Sequence, residues 1–183
     1  MKKHWLLAAP AMLTLCSGIA DARQWDPPPQ MAALDYSQIS HIKPNGQVVM
    51  LWWIVPEIFM PNPNNQALLN VLSHYVILGV VQGRPNPNGG LTFDPVPALQ
   101  IADQASHSYS PMPENMLPAD VGQALTTVQN LARQTPVAPL AQGMHWFVYQ
   151  ADTIHSCAPG RMSIALGGET YTFDTPIPGC PKK

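Results

Sequence analysis

The chain has 183 residues, and its 9 lysines and arginines against 11 aspartates and glutamates give a formal net charge of −2. Charged residues make up only 11% of the chain, which excludes an electrostatic nucleic-acid binder as the leading interpretation. The 46% of apolar residues excludes a disordered chain, and the 21 prolines exclude long helices throughout. This length suits one domain with its own hydrophobic core.

The amino terminus has the three parts of a secretory signal peptide over residues 1–22. Lys2 and Lys3 give a positive start, residues 6–19 are apolar, and Ala-Asp-Ala forms a small-residue cleavage site. The apolar run is shorter than the roughly 20 residues that span a bilayer. We therefore predict a periplasmic or secreted mature chain that begins at Arg23 and has no integral membrane segment.

Cleavage leaves two of the three cysteines. Cys16 leaves with the signal peptide, and the residue before it is Leu15 rather than the small residue that lipoprotein processing needs. In an oxidising compartment, the remaining Cys157 and Cys180 predict one disulfide. The alternative, metal binding by His155 and Cys157, is weakened by the absence of a paired-cysteine motif.

The remaining chain divides into a lead-in segment and a domain. Residues 23–44 carry three consecutive prolines and predict an extended, proline-rich lead-in, whereas 45–183 predict a single β-rich domain. Within 47–55, β-branched and aromatic residues fall on both faces of a strand, which is typical of a strand covered on both sides. Trp52 and Trp53 are therefore interpreted as core residues, with a partner-binding role for one of them as the alternative.

The middle of the chain alternates turn clusters with short periodic segments. These predict, in chain order, a short helix, a hairpin-like pair, a strand, an exposed proline-rich loop and the longest helix. The short helix follows the turn at 61–65, and the hairpin-like pair joins 76–81 to 91–93. The strand covers 98–102, the exposed loop 103–118 and the longest helix 119–133.

The last quarter predicts a strand over 144–150 and a hairpin over 162–173 that turns on two consecutive glycines. This register places the large apolar residues on one face and the small polar residues on the other. It also brings the two mature cysteines together at the open end of the hairpin. The pairs expected to face each other are Leu166 with Glu169, Ile164 with Tyr171, and Met162 with Phe173.

These elements predict a β-rich α+β fold. We expect an antiparallel sheet or sandwich of about six or seven strands with one or two packed helices. An immunoglobulin-like β-sandwich, in which the helices are insertions between strands, is the alternative.

No residue pattern identifies a catalytic site. The chain has no GxSxG nucleophile elbow, and both mature cysteines are predicted to be oxidised. Glu57, Glu169 and Asp174 follow or flank apolar segments and could form paired carboxylates, but capping a turn or pairing with an arginine explains such residues more simply.

A soft metal site is the next candidate, because His107, Met112 and Met116 lie together in the proline-rich loop. Thioether and imidazole ligands suit Cu(I). His145 and His155 could add further ligands. The other methionines are scattered, several of them on apolar strand faces, where core packing is the simpler interpretation.

The leading functional hypothesis is a small, soluble, exported, non-enzymatic protein that binds a macromolecular partner or an envelope component. A periplasmic copper-binding protein is the alternative, and a hydrolase with a dispersed site is the third. No cofactor is expected except copper under the alternative, and no sequence pattern specifies the partner-binding residues.

Overall fold

A computed structural model describes residues 36–39, 46–59, 62–135 and 138–180. The predicted signal peptide lies outside these residues, as does the lead-in except for 36–39. Within the described part, two antiparallel sheets with nine strands are accompanied by three α-helices and two 3-10 helices. The predicted β-rich α+β class is confirmed. The strands outnumber the six or seven expected because three of the nine have only two or three residues. Among the helices of this part, none has the length and apolar character needed to cross a membrane.

The strands are β1 (Ser37–Ile39), β2 (Val48–Ile54), β3 (Val76–Pro85), β4 (Leu91–Asp94), β5 (Ile101–Ala102), β6 (Ser108–Tyr109), β7 (His145–Tyr149), β8 (Gly160–Leu166) and β9 (Glu169–Thr175). The α-helices are α1 (Gln66–Leu72), α2 (Ala119–Ala132) and α3 (Ala138–Ala141), and the 3-10 helices are Pro56–Ile58 and Glu114–Met116. The strand expected over 98–102 is reduced to β5, and the loop expected over 103–118 contains β6 and a 3-10 helix.

The first sheet is built around β2 and β3. Its order is β1-β2-β3-β4, and β7 pairs with the first half of β3. Trp52 and Trp53 are 0% and 3% exposed, so the predicted burial of both faces of β2 is confirmed. Strand β1 lies in the predicted lead-in segment and pairs with β2. The buried Tyr36 therefore belongs to the folded unit.

Gly79 makes room for the aromatic packing on one face of this sheet. It pairs with Trp52 on β2 and with Trp146 on β7. A Cβ atom at Gly79 would lie 2.5 Å from the Met144 sulfur and 2.9 Å from the Trp146 ring. Because glycine leaves that space open, the thioether and the indole pack directly over β3, and the centroids of the two indole rings are 6.2 Å apart.

The second sheet has the order β6-β5-β8-β9, and its hairpin confirms the predicted register. Gly167 and Gly168 have φ values of 62° and 82°, a region that glycine adopts readily and that suits the central positions of a two-residue hairpin turn. Trp53 packs against Phe173 of this sheet with a centroid distance of 5.8 Å. On the opposite face of the first sheet, Leu125 of α2 shares a cavity with β7. The order of layers is therefore helices, first sheet, second sheet.

The predicted disulfide joins Cys157 to Cys180. It ties the β7–β8 connection to the segment that follows β9, where the Ile177 amide also donates to the Ser156 carbonyl at 2.9 Å. In the chain-entropy account, a crosslink that closes a loop like that between residues 157 and 180 stabilises a fold by about 3 kcal/mol. The connection is thereby held against the end of the second sheet.

The central position of β2 makes Trp52 a critical core residue. We expect Trp52→Ala to lower the free energy of unfolding by about 3–5 kcal/mol, because it leaves a large cavity between layers. Urea denaturation measures this loss, with Met116→Ala as the control since Met116 is 66% exposed. A Trp52→Ala protein that unfolds at the wild-type urea concentration would contradict the three-layer core.

Candidate functional site

Two cavities meet at the connection between β7 and β8. The first, which we call the disulfide cleft, has a volume of about 280 Å³ and is bounded by Glu57 and Cys157. The second, the Asp103 pocket, has a volume of about 250 Å³. Ile154 and His155 line both cavities. A single loop, fixed by the disulfide, therefore separates and shapes the two.

Glu57 is the most unusual residue of the disulfide cleft. It lies in the 3-10 helix that begins at Pro56, directly after β2. Its Oε1 atom is 3.1 Å from the Cys157 sulfur, which carries no proton in a disulfide, so this contact is not a hydrogen bond. Its Oε2 atom is buried and has no hydrogen-bond partner among the described residues. Within the described part of the chain, the cleft thus contains a carboxyl oxygen that no donor pairs with.

The rim of the cleft carries further polar side chains. His74, Asp152 and His155 are exposed and line the cleft. The His74 ring is held at the end of α1, where its Nδ1 atom lies 2.9 Å from the Asn70 carbonyl oxygen. The rim therefore combines imidazole groups with a second carboxylate.

The donor atoms of Glu57, Cys157 and Cys180 lie within 4.8 Å of one another. The two sulfurs are bonded to each other, however, and a metal needs them as thiolates. The alternative in which His155 and Cys157 bind a metal is not compatible with this disulfide.

The Asp103 pocket contains the densest hydrogen-bond network of the site. The Asp103 carboxylate accepts hydrogen bonds from the Thr153 hydroxyl at 2.6 Å, the His107 amide at 2.9 Å and the His107 Nδ1 atom at 3.0 Å. The Tyr109 hydroxyl is 2.7 Å from the Thr153 hydroxyl. Ser106, directly before His107, has a φ of 66°, which lets the turn between β5 and β6 bring the imidazole back to the carboxylate.

This network favours the ionised form of Asp103. The hydrogen bond from the Thr153 hydroxyl lowers the pKa of Asp103 most. Burial raises this pKa, and the amide and imidazole of His107 lower it further. Together they lower the pKa of Asp103 from 3.8 to about 2. An ionised Asp103 fixes the His107 ring with its Nδ1–H toward the carboxylate, while the His107 side chain stays 70% exposed.

The three residues of the predicted copper loop are separated. His107 lines the Asp103 pocket, whereas Met112 lines a third cavity, and Met116 is 66% exposed. In the third cavity, Met112 is joined by Met144 and His145. Copper binding by the loop residues alone stays a prediction.

The three candidate carboxylates have different surroundings. Glu169 accepts a hydrogen bond from the Tyr171 hydroxyl at 2.8 Å, and Asp174 pairs with Arg161 at 2.6 Å. Of the three, Glu57 alone lines the disulfide cleft. Sequence reasoning missed Asp103, whose one signal is its position at the end of a predicted strand before a turn.

We expect the stabilising effect of Asp103 to disappear in acid. Its folded pKa of about 2 lies below its ordinary value of 3.8, so the ionised form stabilises the fold above about pH 4 and this stabilisation is lost as the pH falls toward 2. Urea denaturation should show Asp103→Asn less stable than the wild type at pH 6, with the difference shrinking toward pH 2.

A second variant tests whether the Thr153 hydroxyl lowers the pKa of Asp103. Thr153→Val removes the hydroxyl that most lowers the pKa of Asp103, so carboxyl ¹³C NMR should show this pKa rising. A difference between wild type and Asp103→Asn that stays constant from pH 6 to pH 2 would contradict the role of the network.

No family model, curated protein or solved structure matches the chain.

Proposed function

We propose that the protein is a small exported, non-enzymatic binding protein that acts in the periplasm or outside the cell. Its disulfide cleft accepts a basic side chain of a macromolecular partner or envelope component. The signal-peptide pattern of residues 1–22 supports export, and the disulfide is of the kind found in oxidising compartments.

The observation that carries this proposal is the unpaired carboxylate of Glu57. A carboxylate oxygen withdrawn from water is costly unless a donor or a cation compensates it. Among the described residues Oε2 has no such partner, and the rim adds the carboxylate of Asp152. Arg84 and Arg161 are already paired with aspartates elsewhere. A donor that reaches the Glu57 carboxyl group would therefore compensate it, and Asp152 on the rim favours a donor that is positively charged.

The walls of the cleft suit the stem of a long basic side chain. Pro56 and the half-buried Tyr75 line the cleft beside Glu57. Lysine and arginine bury their aliphatic stems along apolar surface while their charged ends reach polar groups, and an aromatic ring adds attraction for the cation. A volume of about 280 Å³ accommodates one such side chain rather than a large ligand.

Replacing Glu57 tests this binding mode. We expect Nα-acetyl-arginine amide to shift the NMR amide signals of Cys157 and Ala158, and the uncharged Nα-acetyl-citrulline amide to leave them in place. Glu57→Gln should weaken arginine-amide binding by about tenfold or more, because hydrogen bonds to charged groups contribute about 1.5–3 kcal/mol.

The matched control is Glu114→Gln, the same change in the other 3-10 helix and outside the cleft. Partners retained from an envelope extract by the wild type and by Glu114→Gln should be lost from Glu57→Gln. Equal binding of the arginine and citrulline amides, or unchanged arginine binding by Glu57→Gln, would refute the proposal.

A hydrolase with a dispersed site is the second candidate, favoured by the Asp103–His107 pair beside a pocket that Arg161 also lines. An aspartate that orients an imidazole is the supporting half of a general-base site. It ranks second because, in the described part of the chain, no serine, threonine or cysteine side chain hydrogen-bonds to His107. Water would have to be the nucleophile.

Ester hydrolysis separates the two candidates. Under the binding proposal, we expect the wild type, His107→Gln and the control His74→Gln to hydrolyse 4-nitrophenyl acetate at similar rates. Positioned general bases contribute about 10²–10⁴-fold. A wild-type rate at least about 100-fold above that of His107→Gln, with His74→Gln unaffected, would establish the hydrolase instead.

A further inference from the structure

The third cavity combines soft ligands from two separate segments. It has a volume of about 310 Å³ and lies between α2, β7 and the segment around Met112. We call it the thioether cavity. Its chemistry-bearing side chains are those of Met112, Glu114, Gln129, Met144, His145 and Trp146.

We propose that the thioether cavity is a binding site for Cu(I), with Met112, Met144 and His145 as its ligands. This site is separate from the disulfide cleft, so either proposal can fail without the other.

Backbone pairing places the two methionines against the same strand. The Met112 amide donates to the Val148 carbonyl at 2.8 Å, which fixes the Met112 segment alongside β7. Met144 directly precedes β7, and its sulfur packs over Gly79 together with the Trp146 ring. Two methionines distant in sequence thereby line one cavity beside a single strand.

The two thioethers of the ligand set favour a soft, monovalent cation. Thioethers are neutral, polarisable donors that favour Cu(I), whereas Mg²⁺ and Ca²⁺ prefer carboxylate and carbonyl oxygens. Imidazole suits copper as well. The indole of Trp146 adds cation–π attraction, and Glu114 at the cavity supplies a negative charge.

Core packing alone does not account for this arrangement. Methionines often fill irregular gaps in a core, but this cavity opens at the surface, where His145 and Glu114 are exposed. Here about 310 Å³ stays open beside the two methionines, and an imidazole and a carboxylate share it. The cavity therefore has both the space and the donors for a bound ion.

The test uses Cu(I) itself in competition with bicinchoninate, a coloured Cu(I) chelator, under anaerobic conditions with ascorbate. We expect the full mature chain to withdraw one equivalent of Cu(I), to bind Ag(I) at the same site with a change in tryptophan fluorescence, and to ignore Zn²⁺. Met112→Leu and His145→Asn should each weaken Cu(I) binding by at least about 100-fold, since outer-sphere changes alone weaken metal sites by about 10–100-fold.

Matched variants keep the test falsifiable. Leucine conserves the volume of methionine, and unchanged urea midpoints would show that Met112→Leu is folded. Met116→Leu and His107→Asn should bind Cu(I) like the wild type, because both residues lie outside the cavity. The proposal is overturned if the wild type does not compete for Cu(I), or if Met112→Leu and His145→Asn bind Cu(I) as tightly as the wild type. It is also overturned if Met116→Leu and His107→Asn are the variants that lose Cu(I) binding.

Discussion

The burial of both faces of β2 is the constraint on which the other layers depend. Trp52 and Trp53 point to opposite sides of one strand and both are inaccessible to water, so the sheet has to be covered twice. The second sheet covers one side through the contact of Trp53 with Phe173, and the helices cover the other. Cavities then form where the connections between layers meet the edges of the sheets.

The three cavities use these connections in different ways. The loop between β7 and β8 shapes the disulfide cleft and the Asp103 pocket, and its position depends on the bridge between Cys157 and Cys180. The thioether cavity depends instead on the pairing of the Met112 amide with β7. Packed strands therefore supply rigidity, while several of the polar and soft side chains come from connecting segments that a disulfide or a few hydrogen bonds fix to them.

The sequence pattern of single segments was enough to predict the hairpin register and the burial of β2. Two adjacent glycines and alternating polarity predicted the register that pairs Met162 with Phe173, and a continuous apolar run predicted the doubly covered β2. Pairing of β1 was not predictable, because its partner is selected by the tertiary fold. The same holds for Thr153 and Asp103, whose hydrogen bond joins two turns that are distant in the chain.

The bridge between Cys157 and Cys180 also determines how the fold carries mechanical load. A pulling force that enters at residue 180 passes through the disulfide to residue 157, so the intervening chain, including β8 and β9, lies outside the path of tension. The hydroxyl of Tyr36, at the other end of the described chain, donates to the Pro178 carbonyl within that shielded segment. A force that pulls the two ends apart would therefore separate strands of the first sheet. The β8–β9 hairpin, which lines part of the Asp103 pocket, would keep its shape.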